Sequence, residues 1–221
     1  MGEYFNWINL DKKEYISPGD FDIGYKGYES VYINNALLCS LKELIGNEWK
    51  GSKIIFLGDE YDQSSINIPD LLNVILLDDK FEGNFIDYTY EYFKNVSCKF
   101  EAARNDATEE ISIFMERIRR GEKDLVNEYG VDINNPFAGM FGRKGKSYKY
   151  TINYSKGVAY CLDTTKIITL DDSVIDNIDP LPVLLGCGRT MQSGEWLGDS
   201  VGVSDSLDTG ITLLDKIRIL W

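Results

Sequence analysis

The sequence contains no histidine. That absence removes Ser-His-Asp and Cys-His nucleophile activation, histidine metal ligation and the imidazole proton shuttle. An enzyme built from what remains is confined to carboxylate pairs, carboxylate-bound magnesium or calcium, lysine or tyrosine. Cysteine is scarce: Cys39, Cys98, Cys161 and Cys187 include no pair at C-x-x-C spacing, which leaves zinc and thioredoxin-like chemistry unsupported. The expected state of the four is reduced, as small buried hydrophobes. Long apolar runs are also missing. The longest, residues 73–77 and 181–185, fall far short of the roughly 18 residues that span a bilayer. The opening residues 1–6 hold neither a basic n-region nor an apolar h-region, and Asn6 stands where a myristoylation signal wants Ser or Thr. The expectation is a protein made and acting in the cytosol of a cell or a virus-infected host, with no membrane and no cofactor.

What is present is acid. The 221 residues carry 23 Lys+Arg against 36 Asp+Glu, a net charge of −13. The excess lies towards the ends: residues 1–50 hold 5 bases and 8 acids, 51–100 hold 4 and 9, 101–150 hold 9 and 9, and 151–221 hold 5 and 10. Between Asp132 and Asp163 there is no acid, while Arg143, Lys144, Lys146, Lys149 and Lys156 make a basic tongue inside an acidic protein. With 43% apolar residues the chain is long enough for one large core or two small ones.

Helix periodicity is clearest over residues 106–121, where Asp106 and Glu109 form a capping box before Ile111, Phe114, Met115 and Ile118. Residues 35–45 place Leu37, Leu38, Leu41, Leu44 and Ile45 on one face and are expected to stop at Gly46 as a positive-φ C′ residue. Residues 85–96 and 123–129 are further helix candidates, and residues 131–146 read as loop and linker. Strand signals fall at residues 4–9 with 14–17, 53–57, 73–77, 148–154 with 158–162, 166–170, 200–204 and 212–220. The mixture predicts an α+β fold.

The two ends resemble each other. Trp7 to Tyr15 reads as a hairpin, followed by a helix and then Glu48-Trp49-Lys50-Gly51-Ser52-Lys53-Ile54. Thr151 to Tyr160 reads as a hairpin one residue longer, followed by Leu181 to Leu185 and then Glu195-Trp196-Leu197-Gly198-Asp199-Ser200-Val201. The pieces match in order at offsets of 144 and 147. The expected organisation is a hairpin-helix-strand unit at residues 1–60, a mostly helical insertion with a loop at 61–147, and a second unit at 148–221. The two units would be pseudo-duplicates packed as one globular domain around a mainly antiparallel sheet. The opening Asn9-Leu10-Asp11-Lys12-Lys13-Glu14-Tyr15-Ile16, the two Trp-x-Gly-Ser/Asp-x-Ile/Val pieces and Gly186-Cys187-Gly188-Arg189 also resemble a family of small bacterial and phage proteins. That family has no established activity, so no site residue carries over. The resemblance implies a setting of phage conflict or bacterial competition, and the chain departs from the family pattern at Thr190-Met191-Gln192-Ser193, where glycine and acid are the rule.

Four features bear on chemistry. Asp59 and Glu60 follow the first Trp strand, and Asp199 and Asp205 bracket the second. Paired across a pseudo-twofold axis they would hold a divalent cation or share a proton; as residues at strand ends they are ordinary turn formers. Trp49 and Trp196 would stack on a flat ligand or anchor the core. The stretch from Gly186 to Gly194 would cradle a phosphate in its backbone with Arg189 as a clamp, or serve as a plain glycine-rich connection. The basic tongue interleaves tyrosine with lysine, but the field of an acidic protein opposes a polyanion, so nucleic acid is not the expected partner. The leading expectation is a stoichiometric inhibitor, of immunity or phage counter-defence type, that binds a basic, nucleic-acid-handling protein. The other readings are a nucleotide-like small-molecule binder or carboxylate- and metal-dependent enzyme with its site between the repeats, and a structural subunit forming a homodimer. Residues singled out for ligand or partner contact are Trp49, Asp59, Glu60, Arg189, Trp196, Asp199 and Asp205.

Overall fold

The computed structural model describes residues 3–21, 26–33, 35–60, 84–101, 103–105, 116, 119–121 and 148–220. It is an α+β fold with few helices and a mainly antiparallel, mixed sheet of nine strands in the order β10-β6-β5-β9-β3-β1-β2-β4, with β8 joined to β3 off this path. The sheet strands are β1 (Phe5–Asn9), β2 (Glu14–Ile16), β3 (Ser52–Gly58), β4 (Lys94–Asn95), β5 (Tyr150–Asn153), β6 (Val158–Tyr160), β8 (Gly186–Cys187), β9 (Ser200–Ser204) and β10 (Thr212–Leu213). Two further strands, β7 (Lys166–Ile168) and β11 (Lys216–Arg218), pair in parallel as a separate ribbon. The helices are α1 (Ala36–Gly46), α2 (Phe85–Tyr92) and the single turn α3 (Leu181–Leu185).

Alternation explains the layering. Phe5 and Trp7 on β1, with Ile54 and Phe56 on β3, point to one face and pack into the larger core with α1 and α3. Ile8, Ile55 and Leu57 point to the other face, where α2 brings Phe85, Ile86 and Tyr88. The central strands are therefore buried on both sides, which is why β3 reads as a near-continuous apolar run. Trp7 stacks on Phe56 with ring centroids 4.1 Å apart, and Phe5 lies 4.9 Å from the same ring.

The two hairpins are built alike. Asn9 pairs with Glu14 and Trp7 with Ile16; Asn153 pairs with Val158 and Thr151 with Tyr160. Each turn therefore spans four residues, and the second hairpin is not longer than the first. The Asn9 side chain accepts from Lys12 N at 2.9 Å, and that of Asn153 accepts from Lys156 N at 2.9 Å. Each turn closes on a left-handed residue, Lys13 at φ 52° and Gly157 at φ 64°. β1 pairs with β3 so that Asn9 faces Ile54, and β5 pairs with β9 so that Asn153 faces Val201. The strands β3 and β9 then pair antiparallel with Ser52 opposite Val201, and Gly51 and Gly198 both sit at φ 75°.

Several expected boundaries shift. Asn35 caps α1, its side chain accepting from Leu38 N at 2.8 Å. Gly46 closes that helix without a left-handed φ; a Cβ there would lie 2.5 Å from Tyr148 Oη, so glycine is needed for close approach, not for backbone freedom. The predicted helix at 85–96 stops at Tyr92, because Lys94 N donates to Lys13 O at 2.8 Å and Val96 N to Tyr15 O at 2.9 Å, capturing the chain on the open edge of β2. The single strand expected at 212–220 breaks into β10 and β11, since Leu214 N bonds to Ala159 O while Asp215 O accepts from Lys166 N. The strand at 166–170 ends at Ile168. Cys98 is exposed, against the expectation of burial; Cys161 and Cys187 are buried, Cys39 is half-buried, and none of the four is in a disulfide. The predicted strand at 73–77, the helix at 123–129, the linker at 131–146 and nearly all of the helix at 106–121 lie outside the described residues. No helix among the described residues is long and apolar enough to cross a membrane.

Candidate functional site

The sequence-predicted residues that the fold brings together are Asp59, Glu60 and Arg189. The cause is a fork in β3: its first half pairs with β9, while its second half pairs in parallel with β8, Phe56 opposite Gly186 and Leu57 opposite Cys187. The chain leaves β3 into Asp59 and Glu60 and leaves β8 into Gly188 and Arg189, so both exits reach one corner of the sheet. Arg189 Nη2 lies 2.6 Å from Glu60 Oε2. Arg189 is largely exposed and Glu60 partly so, which weakens the pair's contribution to stability.

The corner is organised around Glu3, a buried residue on which the sequence offers no signal. Its carboxylate accepts from Arg189 N and Thr190 N at 2.8 Å each and from Thr190 Oγ1 at 2.6 Å. Two successive amides of the glycine-rich stretch thus converge on a carboxylate of the same chain. Gly58 and Gly188 form the slot: a Cβ at either would come within 2.1 Å and 2.6 Å of Glu3 Oε1. Beside it Asp59 Oδ1 accepts from Tyr4 N at 2.9 Å. Burial raises the Asp59 carboxyl above the usual carboxylate range, the neighbouring Glu3 and Glu60 raise it further, and the Tyr4 bond opposes them.

The other candidates lie elsewhere. Asp205 accepts from Lys149 N at 3.3 Å at the far end of β9. With β3 and β9 antiparallel about Ser52 and Val201, Asp59 and Asp205 lie some ten residues apart along the sheet, roughly 30 Å at the rise of a strand. They form no carboxylate pair, and no group of three His, Cys, Asp or Glu among the described residues is placed to hold a metal. Asp199 Oδ2 accepts from Asn153 Nδ2 at 2.8 Å and Lys156 Nζ at 2.6 Å, bracing the second hairpin. Trp49 is fully buried, its indole N–H donating to Glu14 Oε2 at 2.6 Å, and Trp196 is buried 5.8 Å from the Tyr160 ring. Neither indole presents a face to solvent.

Two structural features went unread in the sequence. A surface cavity of about 540 Å³ opens beside the Glu3-held loop, lined by Cys187, Arg189, Thr190, Gln192 and Tyr28. Burial pushes the Cys187 thiol up, with Ser193 opposing and Glu3 adding to the rise. In the core, the fully buried Asp179 carboxylate contacts both Tyr160 Oη and Lys42 Nζ and accepts from Leu181 N at 3.0 Å. That triad locks α1, β6 and the start of α3 together. A Lys within an otherwise apolar helix stripe is the signal for it: Lys42 lies four residues after Leu38 and three before Ile45.

Comparison of the chain with protein families, with curated proteins and with solved structures finds no match.

Proposed function

We propose that this chain is an acidic binding protein that acts as a stoichiometric inhibitor, of immunity or phage counter-defence type, by occupying the cationic surface of a basic, nucleic-acid-handling protein. The observation that carries the reading is where the acid goes. Of the Asp and Glu residues whose side chains are described, only Glu3 and Asp179 are buried, so in a chain of net charge −13 the other described carboxylates are turned wholly or partly to solvent. Such a surface accelerates encounter with a basic partner and fills clefts shaped for nucleic acid. The resemblance to bacterial and phage proteins supplies the setting. Native mass spectrometry of the gently isolated protein, followed by reconstitution with the captured companion, is the test. A basic protein at fixed stoichiometry is expected, with an affinity that falls by roughly tenfold or more between low and physiological salt and with loss of the companion's nucleic-acid binding. An affinity indifferent to salt would overturn the reading.

A second reading, a nucleotide-like small-molecule binder or carboxylate- and metal-dependent enzyme, draws support from the cavity beside Arg189. It puts the site at the loop after β8. A bound small molecule or divalent ion with no protein companion would favour it, as would loss of function in Asp59→Asn at an unchanged melting temperature.

We also infer that residues 1–60 and 148–221 are two copies of one hairpin-helix-strand unit about a pseudo-twofold axis. In support, the hairpin registers correspond at an offset of 144 and the Trp-strand registers at 147. So do small hydrogen bonds: Leu10 N to Lys53 O and Tyr154 N to Ser200 O, Lys53 N to Asp11 Oδ2 and Ser200 N to Ser155 Oγ.

A further inference from the structure

We propose that the outer face of α2, together with Tyr4 at the entry to β1, is the surface that docks the basic partner, and that it takes an arginine-rich segment of that partner. This rests on the acidic-binder reading and assigns it a place. One side of α2 is spent on the core: Phe85, Ile86, Tyr88 and Thr89 are buried against the sheet. The other side turns Asp87, Tyr90 and Glu91 outward. Tyr90 keeps 47% of its surface exposed, and Tyr4, two residues before the Asn6 that Tyr90 reaches and on the same face of β1, keeps 43%. Half-exposed tyrosines side by side mark an interface when they are already held in place.

They are held. Tyr90 Oη donates to Asn6 Oδ1 at 3.2 Å, and its ring lies 5.4 Å from that of Tyr15. Tyr4 is fixed at its backbone: Asp59 N donates to Tyr4 O at 2.8 Å, and Tyr4 N donates to Asp59 Oδ1 at 2.9 Å. Rigid tyrosines supply contact area at small entropic cost and are enriched at binding hot spots. Their neighbours choose the partner. Asp59 stands beside Tyr4 and close enough to Tyr90 to act on its phenol, while Asp87 and Glu91 rise from the same helix one turn apart. A ring face flanked by carboxylates suits guanidinium, which stacks on aromatic planes and pairs with carboxylates in a fork; ammonium does only part of this.

The test titrates the intact protein at low salt with nona-arginine and with nona-lysine, following backbone amide shifts. Nona-arginine is expected to bind roughly two- to fivefold tighter than nona-lysine, with shifts centred on α2 and residues 4–6. In Tyr4→Ser the preference for arginine is expected to fall, and in Tyr4→Ser/Tyr90→Ser it is expected to vanish. In Asp87→Asn/Glu91→Gln both peptides should weaken more than in Asp208→Asn/Asp215→Asn, a charge-matched pair on exposed positions near the other end of the sheet. Circular dichroism verifies that each variant is folded. If the tyrosine pair leaves the preference intact, or the two acid pairs weaken binding equally, attraction is diffuse and this face is refuted while the acidic-binder reading stands. If neither peptide binds, both fall.

Discussion

Glu3 closes a contact between residues 186 positions apart, and it does so with one carboxylate. Three donors converge on it, so truncation leaves the Arg189 and Thr190 amides without their acceptor in a half-buried corner. Glu3→Ala is expected to lower stability by about 2–4 kcal/mol in urea unfolding, with amide exchange quickening first in the loop after β8. Tyr160 makes a prediction in pH. Burial drives its phenol well above the ordinary value of 10.0, and the adjacent Asp179 carboxylate adds to the rise. A group with a raised folded pKa contributes stability that is complete below its unfolded value and lost as pH climbs past it. Stability should therefore fall above pH 10 as unfolded chains ionise where the folded one resists. In Tyr160→Phe the alkaline decline should be shallower, and the gap to wild type, measured by chemical denaturation, should narrow between about pH 9 and pH 11.

At the scale of elements, the hairpins show how one turn tolerates two sequences. Both use an asparagine acceptor for the amide three residues on, and both need a left-handed residue at the close. The second turn has Gly157 there, while the first forces Lys13 into φ 52°. Relief of that strain outweighs the extra unfolded-state entropy of glycine, so Lys13→Gly is expected to stabilise the protein by about 0.5–1 kcal/mol, read as a rise in the denaturant midpoint at constant slope. Alternation and turn chemistry made these hairpins, β9 and α1 legible from the residues alone. The misread boundaries share another cause. Residues 93–96 and 212–218 are short extended pieces whose state depends on an open edge elsewhere: β2 captures the first, and β6 and β7 divide the second. Gly46 was misread because a glycine after a helical stripe signals a cap, and nothing local reveals Tyr148 arriving above it.

For the molecule as a whole, the pairing of β3 with β9 and the exchange of helices across it tie the two ends into one body: α1 packs on β9, and α3 on β3. Trp7, Trp49 and Trp196 share the same core. Heat or urea should therefore unfold both ends together, with tryptophan fluorescence and far-ultraviolet circular dichroism giving coincident transitions; separated transitions would show that the ends are independent.

Composition and periodicity by themselves determined the absence of histidine chemistry, the acidic surface, the α+β class, both hairpins and the Trp strands, because each depends on residues within a few positions of one another. Tertiary structure alone decided that Asp59, Glu60 and Arg189 meet while Asp205 lies at the opposite end, that Glu3 accepts from the Arg189 and Thr190 amides, and that Asp179, Tyr160 and Lys42 form a buried lock. Those outcomes follow from the antiparallel register of β3 and β9 and from the fork at β3, and register is a property of strands meeting in space, which no single segment of the sequence contains.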